Sequence, residues 1–278
     1  MRLVHVSDLH FGAHDDALGR GLAQELCDRE PDLVVASGDF TQIGSRDEFI
    51  SAKAFLDELK VPFITVPGNH DVPAKNLVRR FFDPYGRYRK YIHDEIEPYM
   101  EVGGVAFAGL NTARRMRIGL NWSHGSISRG QLSRLEQRFD AGTPDALRVV
   151  VAHHPLIQPE TPGAVEMRLV DRADIALATF ARLGVRLVLS GHFHMSYVRR
   201  HTHAVLEGAP SGAREAAAAP ILVAQASSAI STRLRGEANA YNVIDLGTKD
   251  EDIQIAVREW TGKDWRTRES APVALPQD

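Results

Sequence analysis

The sequence holds a single cysteine, Cys27, among its 278 residues. That excludes a disulfide within the chain and any cysteine-rich metal site, and it fits a reducing compartment. An excess of either charge is also missing: 33 lysines and arginines against 36 aspartates and glutamates give a formal net charge of -3. A chain so near neutral is not a general polyanion binder, although a local basic patch remains open. The longest apolar stretch lies around residues 216–226 and is too short to span a bilayer. No secretory leader is visible, because residues 2–7 already read as a strand. These absences lead us to expect a cytoplasmic protein without a membrane span. There is no convincing internal repeat and no clean domain boundary.

What is present is an ordinary globular composition, 44% hydrophobic and 25% charged, which excludes wholesale disorder. Short β-branched runs at 3–6, 33–36, 63–66, 105–110, 149–152 and 186–189 read as strands. Helical stripes lie between them. Leu18, Leu22 and Leu26 recur every four residues, and Phe49, Ala52, Phe55, Leu56 and Leu59 follow the same period. Leu132, Leu135 and Phe139 make a third stripe, and residues 175–183 a fourth. This alternation predicts an α/β layered domain whose strands are covered on both faces. After about residue 195 strands dominate, at 197–199, 221–224, 240–246 and 253–260, which predicts an antiparallel finish to a second sheet. The Gly/Ala/Pro-rich stretch 207–220 reads as a surface loop. We expect one domain over 1–261, with a helical, cap-like insertion at about 74–100 and a polar tail over 262–278.

Five times an apolar run stops and potential metal ligands begin. The blocks are Asp8-Leu9-His10, Gly38-Asp39, Gly68-Asn69-His70-Asp71, His153-His154-Pro155 and Gly191-His192-Phe193-His194. One Asp or His after a strand is ordinarily a turn residue or a helix cap. Six of the twelve histidines fall in these blocks, however, and parallel strands share a carboxyl edge where such residues converge. Carboxylate, imidazole and amide donors without thiolate suit manganese, iron or zinc. There are too many for one tetrahedral site, and they suit two metals roughly 3.5–4 Å apart, an arrangement that clamps a phosphate during in-line displacement.

The five blocks, in this order, resemble those of the calcineurin-like metallophosphoesterase superfamily. The H-H-P and G-H-x-H forms are similar to the bacterial branch that contains class III cyclic-nucleotide phosphodiesterases. The resemblance spans Asp8 to His194, most of the chain. It implies a four-layer α/β/β/α sandwich, two mixed sheets flanked by helices. It also implies a ligand set: Asp8, His10 and His194 on one metal, Asn69, His153 and His192 on the other, and Asp39 bridging both. His70 would hydrogen-bond a phosphoryl oxygen and help the leaving group depart, with Asp71 orienting it. A hydroxide bridging the metals would attack phosphorus, so no Ser, Cys or Asp nucleophile is required.

Substrate contacts are sought near this set. His154 faces the substrate or packs. Arg80 lies in a basic and aromatic segment, 79–91, that either borders the cleft or packs its aromatics inward. Arg114, with Arg115 and Arg117, follows Asn111 just past the 105–110 strand and could reach a phosphate. Trp122 and His124 could border the cleft from a loop. The reading that results is a metal-dependent phosphodiesterase for a small phosphodiester such as a cyclic nucleotide. A nuclease acting on DNA or RNA ends is less favoured, since no long basic stripe appears. A lipid-linked nucleotide pyrophosphatase is weakened because its close relatives carry arginine where this chain has His70. A non-catalytic protein-binding scaffold should have lost ligands, and none is missing here. A homodimer is left open.

Overall fold

A computed structural model describes residues 1–116, 123–160, 166–202, 220–247 and 253–268. Its centre is a pair of six-stranded mixed sheets. In the first sheet β1 (Arg2–Val6), β2 (Leu33–Ala36) and β3 (Phe63–Thr65) run parallel. β10 (Ala240–Leu246), β11 (Ile253–Trp260) and β12 (Trp265–Thr267) extend it antiparallel on the other side of β1. In the second sheet β5 (Val105–Leu110), β6 (Leu147–Ala152), β7 (Val185–Ser190) and β9 (Ile221–Gln225) are parallel. β4 (Tyr99–Val102) and β8 (Tyr197–His201) close its edges antiparallel.

Side-chain alternation builds the layers. Leu3 of β1 points between the sheets, together with Leu33, Val35, Phe107, Val149, Val151, Leu187 and Leu189. Val4 and Val6 point the other way and meet Leu22 and Leu26 of α1 (Asp16–Asp28) and Phe49, Ala52 and Leu56 of α2 (Arg46–Leu59). On the second sheet Ala106, Val150 and Val188 meet Leu132 and Phe139 of α5 (Arg129–Ala141) and Leu177 and Phe180 of α6 (Ala173–Arg182). Each such side chain, fully buried, contributes roughly 1.5–3 kcal/mol. α2 starts at a capping box, in which Ser45 Oγ accepts from Glu48 N and the Glu48 carboxylate accepts from Ser45 N. The result is the expected α/β/β/α sandwich.

Three details differ from the sequence reading. The strands after residue 195 do not finish one sheet. β8 and β9 complete the second sheet, whereas β10, β11 and β12 return to the first, beside β1. β9 also runs parallel to β7, because the chain crosses over before it pairs. The polar tail does not begin at 262: β12 pairs with β11, and Trp265 is only 8% exposed against Tyr241. Of the surface-loop stretch, residues 207–219 lie outside the described residues. Between residues 74 and 100 there are two short helices, α3 (Leu77–Phe82) and α4 (Gly86–Tyr91). Tyr88 of α4 is buried, with its hydroxyl on Thr65 Oγ1, so this segment packs its tyrosine inward. Among the described residues no helix is long and apolar enough to cross a membrane.

Candidate metal centre

The five blocks follow β1, β2, β3, β6 and β7, whose carboxyl ends share one rim. Backbone bonds hold the loops together there. Asp8 N donates to Gly38 O at 3.0 Å, His10 N to Asp39 O at 3.0 Å, and Gly191 N to His153 O at 2.9 Å. Asp8, His10, Asp39, His192 and His194 all adopt positive φ, between 49° and 76°. That region is sparsely populated by residues with a side chain, and strain of this kind concentrates where geometry serves function. Two glycines make the approach possible. A side chain at Gly68 would run into Asp39, and one at Gly191 would run into Ser7 and Asp8.

The imidazoles share one pattern. His10 Nδ1 donates to Thr41 O (3.3 Å), His153 Nδ1 to Ser37 O (2.8 Å) and His194 Nδ1 to Arg233 O (2.9 Å). With one proton held on Nδ1, each Nε2 is the atom turned inward, where a metal ion would take its lone pair. His10 Nε2 and His194 Nε2 lie 3.2 Å apart and face Asp8 Oδ1 at 3.6 and 3.2 Å. Each carboxylate is divided in the same way. Asp8 Oδ2 accepts from Ser7 Oγ (2.6 Å) and His192 N (2.8 Å), while buried Asp8 Oδ1 has no hydrogen-bond partner. Asp39 Oδ1 accepts from His70 N at 2.8 Å, and Asp39 Oδ2 lies between His10 Nε2 (3.8 Å) and His153 Nε2 (3.3 Å). Asn69 Oδ1 is 3.2 Å from His153 Nε2.

Buried lone pairs that face one another without a shared proton are costly, and a cation between them removes the cost. The donor set of Asp8, His10, Asp39, Asn69, His153, His192 and His194 therefore fits a pair of metal ions. Electrostatics keep the carboxylates ionised and His192 neutral, while His153 holds a second proton that a metal ion would have to displace. Burial alone would raise both carboxyls, but His194 and His10 hold Asp8, and His153 and His70 hold Asp39, well below the usual carboxylate range. Burial and the neighbouring His153 push the His192 imidazole down to about 3, so it is neutral. Burial opposes the charge on His153 too, but Asp39 outweighs it and raises that imidazole to about 9.

His154 lies close enough to form a cluster with His153 and His192, yet both its ring nitrogens are occupied. Nε2 donates to Ser123 O (2.9 Å) and Nδ1 accepts from Thr112 Oγ1 (2.7 Å), so His154 packs and neither faces substrate nor offers a lone pair. His70 stands at the cleft, with Nδ1 donating to Gln42 O at 2.6 Å. Asp71 does not orient it. The Asp71 carboxylate accepts from Thr41 N, Thr41 Oγ1 and Gly68 N at 2.8–3.1 Å and shapes the turn instead. Burial and the nearby Asp39 raise its carboxyl to about 7.

The expected substrate arginines turn inward. Arg80, 2% exposed, donates to the carbonyls of Arg115, Val72, Pro73 and Arg114 at 2.8–3.4 Å. Arg114 donates to Ser126, Gln131 and the carbonyls of Asn111 and Ala113. Asn111 Oδ1 accepts from Ala113 N at 3.1 Å and turns its own loop. None of the three lines the cleft, and Arg117 and Trp122 lie outside the described residues. The cleft, about 220 Å³, is lined by Asp39, Asn69, His70, His192 and His194 and also by His124, Arg168 and Arg235. Arg168 and Arg235 went unnoticed in the sequence, as did Arg233, whose Nη1 is 3.5 Å from His70 Nε2. No motif marks them.

The geometry agrees with comparisons to known proteins. A probable cyclic nucleotide phosphodiesterase of Synechococcus sp. is 26% identical over 224 residues, which cover 77% of this chain and 82% of that protein. A probable glycerophosphodiester phosphodiesterase of Arcobacter nitrofigilis is 31% identical over 129 residues, 46% of this chain and 44% of that protein. Among solved structures, a dimetal phosphatase from Danio rerio shares the fold, with a TM-score of 0.62 at 14% identity, covering 96% of this chain and 98% of that one. The family model for calcineurin-like phosphoesterases matches residues 1–196, which include all five Asp/His blocks. The chain belongs to the calcineurin-like phosphoesterase family and is a phosphoric ester hydrolase.

Proposed function

We propose that the chain hydrolyses small phosphodiesters, with a cyclic nucleotide as the substrate class. The observation that carries this reading is the convergence of inward-turned Nε2 atoms and the unpartnered Asp8 Oδ1 beside His70, in a cleft of about 220 Å³. Similarity along more than three-quarters of the chain to a relative named as a cyclic nucleotide phosphodiesterase supports the substrate class. Asp8, His10 and His194 would hold one ion and Asn69, His153 and His192 the other, with Asp39 available to both. The donor chemistry suits manganese, iron or zinc. Such ions, when bound, supply Lewis acidity toward a phosphoryl oxygen and toward the water that attacks it.

The chain's own residues do the rest. Gln42 O keeps the His70 proton on Nδ1, so Nε2 is the atom that takes up a proton and passes it to the departing oxygen. Thr41, Ser37 and Arg233 carbonyls fix the ligand imidazoles and thereby the position of the phosphorus. A small diester, bounded by His124 and Phe193, is held with its ester oxygen toward His70. The test is a panel on metal-reconstituted protein: 3′,5′-cyclic AMP, a glycerophosphodiester, bis-p-nitrophenyl phosphate and p-nitrophenyl phosphate. Diesters should be turned over well ahead of the monoester, with the cyclic nucleotide first by kcat/KM. Turnover of the monoester alone would overturn the reading.

A further inference from the structure

The cleft has a cationic wall that the metal centre does not use. Arg233 and Arg235 lie on the segment between β9 and β10, and Arg168 precedes α6. The first segment is tied down on both sides of its tip. Thr232 N donates to Ala13 O at 2.9 Å, Arg233 N to Ser231 Oγ at 3.1 Å, and Arg233 O accepts from His194 Nδ1. On the far side Glu237 Oε2 accepts from Ser196 N at 2.9 Å and pairs with Arg268 at 3.0 Å. Between these anchors Gly236 turns the chain at a φ of 93°, and Arg235 stands exposed at the cleft.

These arginines differ from Arg80 and Arg114 in what their guanidinium groups hold. Arg235 has no hydrogen-bond or ion-pair partner among the described residues, although its charge is felt by His192. Arg168 makes one exposed contact, at 3.4 Å, with Asp171. Arg233 reaches only Gln42 Oε1, at 3.2 Å, and the edge of His70. Two dications held by two carboxylates already make the centre cationic, and a plain diester brings a single negative charge. Further cations in the same cleft would repel that centre unless the ligand brought more negative charge. A guanidinium fork suits a phosphate oxygen pair.

We propose that Arg235 and Arg168 form a subsite for a second phosphate, carried on one arm of the phosphodiester that the centre cleaves. The inference rests on the phosphodiesterase reading and extends it beyond a plain cyclic nucleotide, which has no such arm: the preferred substrate is a small nucleotide-type diester with a further phosphate beyond the ester. The metals select the diester, and the two arginines select the arm.

Two chromogenic esters test this on metal-reconstituted protein. Thymidine 5′-(p-nitrophenyl phosphate) and its 3′-phosphorylated form break the same bond and differ only in the second phosphate. The phosphorylated ester should have the higher kcat/KM, by roughly 10- to 100-fold, the range of one or two charge-assisted hydrogen bonds. Arg235→Gln and Arg168→Gln should each bring that ratio toward one, while Arg129→Gln, an exposed arginine outside the cleft lining, should leave it unchanged. Calorimetric titration with thymidine 3′,5′-bisphosphate and thymidine 5′-phosphate gives a readout without turnover, and the bisphosphate should bind at least about tenfold more tightly. Equal hydrolysis of the two esters would overturn the subsite and leave the phosphodiesterase reading standing. If neither ester is hydrolysed, the diester and monoester panel above decides the phosphodiesterase reading, and the titration alone decides the subsite: equal affinities, or a preference that survives Arg235→Gln, would remove it.

Discussion

Two kinds of buried histidine lie within a few ångströms of each other in this chain. His10, His153 and His194 each give one nitrogen to a backbone carbonyl and turn the other, Nε2, toward an ionised carboxylate. His5 and His154 have partners on both nitrogens. Burial, residue type and even sequence adjacency are shared, since His153 and His154 are neighbours. The difference is what the second nitrogen faces. In the first kind it meets carboxylates and other imidazoles of the cluster, and in the second a neutral hydroxyl, amide or carbonyl.

The neighbouring pair allows the sharpest attempt to break this distinction. His153→Ala should lower bound metal from about two ions per chain to about one or fewer, with activity falling to the assay floor. His154→Gln should keep both ions and most turnover, and lower the melting temperature instead, because Ser123 O and Thr112 Oγ1 lose their partner. Elemental analysis beside a thermal melt checks both. Metal loss on His154→Gln would show that what the second nitrogen faces does not identify ligands.

His70 sharpens the comparison from a third position. One nitrogen is fixed by Gln42 O, as in a ligand, and the ring clusters with His10 and Asp39, but Nε2 also has the Arg233 guanidinium at 3.5 Å, a cation that opposes a metal ion beside it. It should therefore act on the substrate and hold no ion. His70→Ala is expected to retain metal and to lower kcat by roughly 10²- to 10⁴-fold. The loss should be smaller with p-nitrophenyl leaving groups, which depart without a proton. Reduced metal content on this substitution would place His70 with the ligands.

Arginines divide in the same way, which explains why one part of the site was legible in the sequence and another was not. The five ligand blocks could be read because each sits directly after its strand, and parallel strands must end at one rim. The layers could be read because the apolar residues keep period two in the strands and a helical period between them. Asp71 was misassigned because the carbonyl that reaches His70, that of Gln42, comes from a different loop. Arg80 and Arg114 looked available in an Arg- and aromatic-rich stretch, yet tertiary packing set carbonyls around both. Arg233 and Arg235 occupy a plain polar segment, and only the return of β10 to the first sheet carries them over the cleft. Replacing Arg80 or Arg114 with Met should destabilise the fold by about 2–3 kcal/mol, since several carbonyls lose charged donors. KM for a diester should stay within about twofold of the parent, a change too small to count as a lost contact. Denaturant melts and steady-state kinetics on one preparation separate the outcomes. A raised KM at unchanged stability would return these arginines to the substrate.

The smallest expected effect belongs to His5, and it tests the structural class through its proton. Its Nε2 donates to Ser37 Oγ at 2.9 Å and its Nδ1 accepts from Asn242 Nδ2 at 3.2 Å. Burial lowers the folded imidazole from 6.5 to about 3. The unfolded chain therefore binds a proton below about pH 6.5 that the folded chain refuses, and stability must fall as the pH drops from there toward 3. Stability from this residue is complete above its unfolded pKa. Between pH 7 and pH 5.5 the loss integrates to about 1 kcal/mol. His5→Gln removes the titration, so the unfolding free energy of the variant should decline less over this interval, by about that amount. Urea denaturation of both proteins in chelator, at the two pH values, measures the difference of differences, in which the other histidines cancel. An identical decline in parent and variant would mean that His5 takes up its proton in the folded state. In that case a full set of hydrogen bonds in the bare protein would not be enough to mark a histidine as neutral.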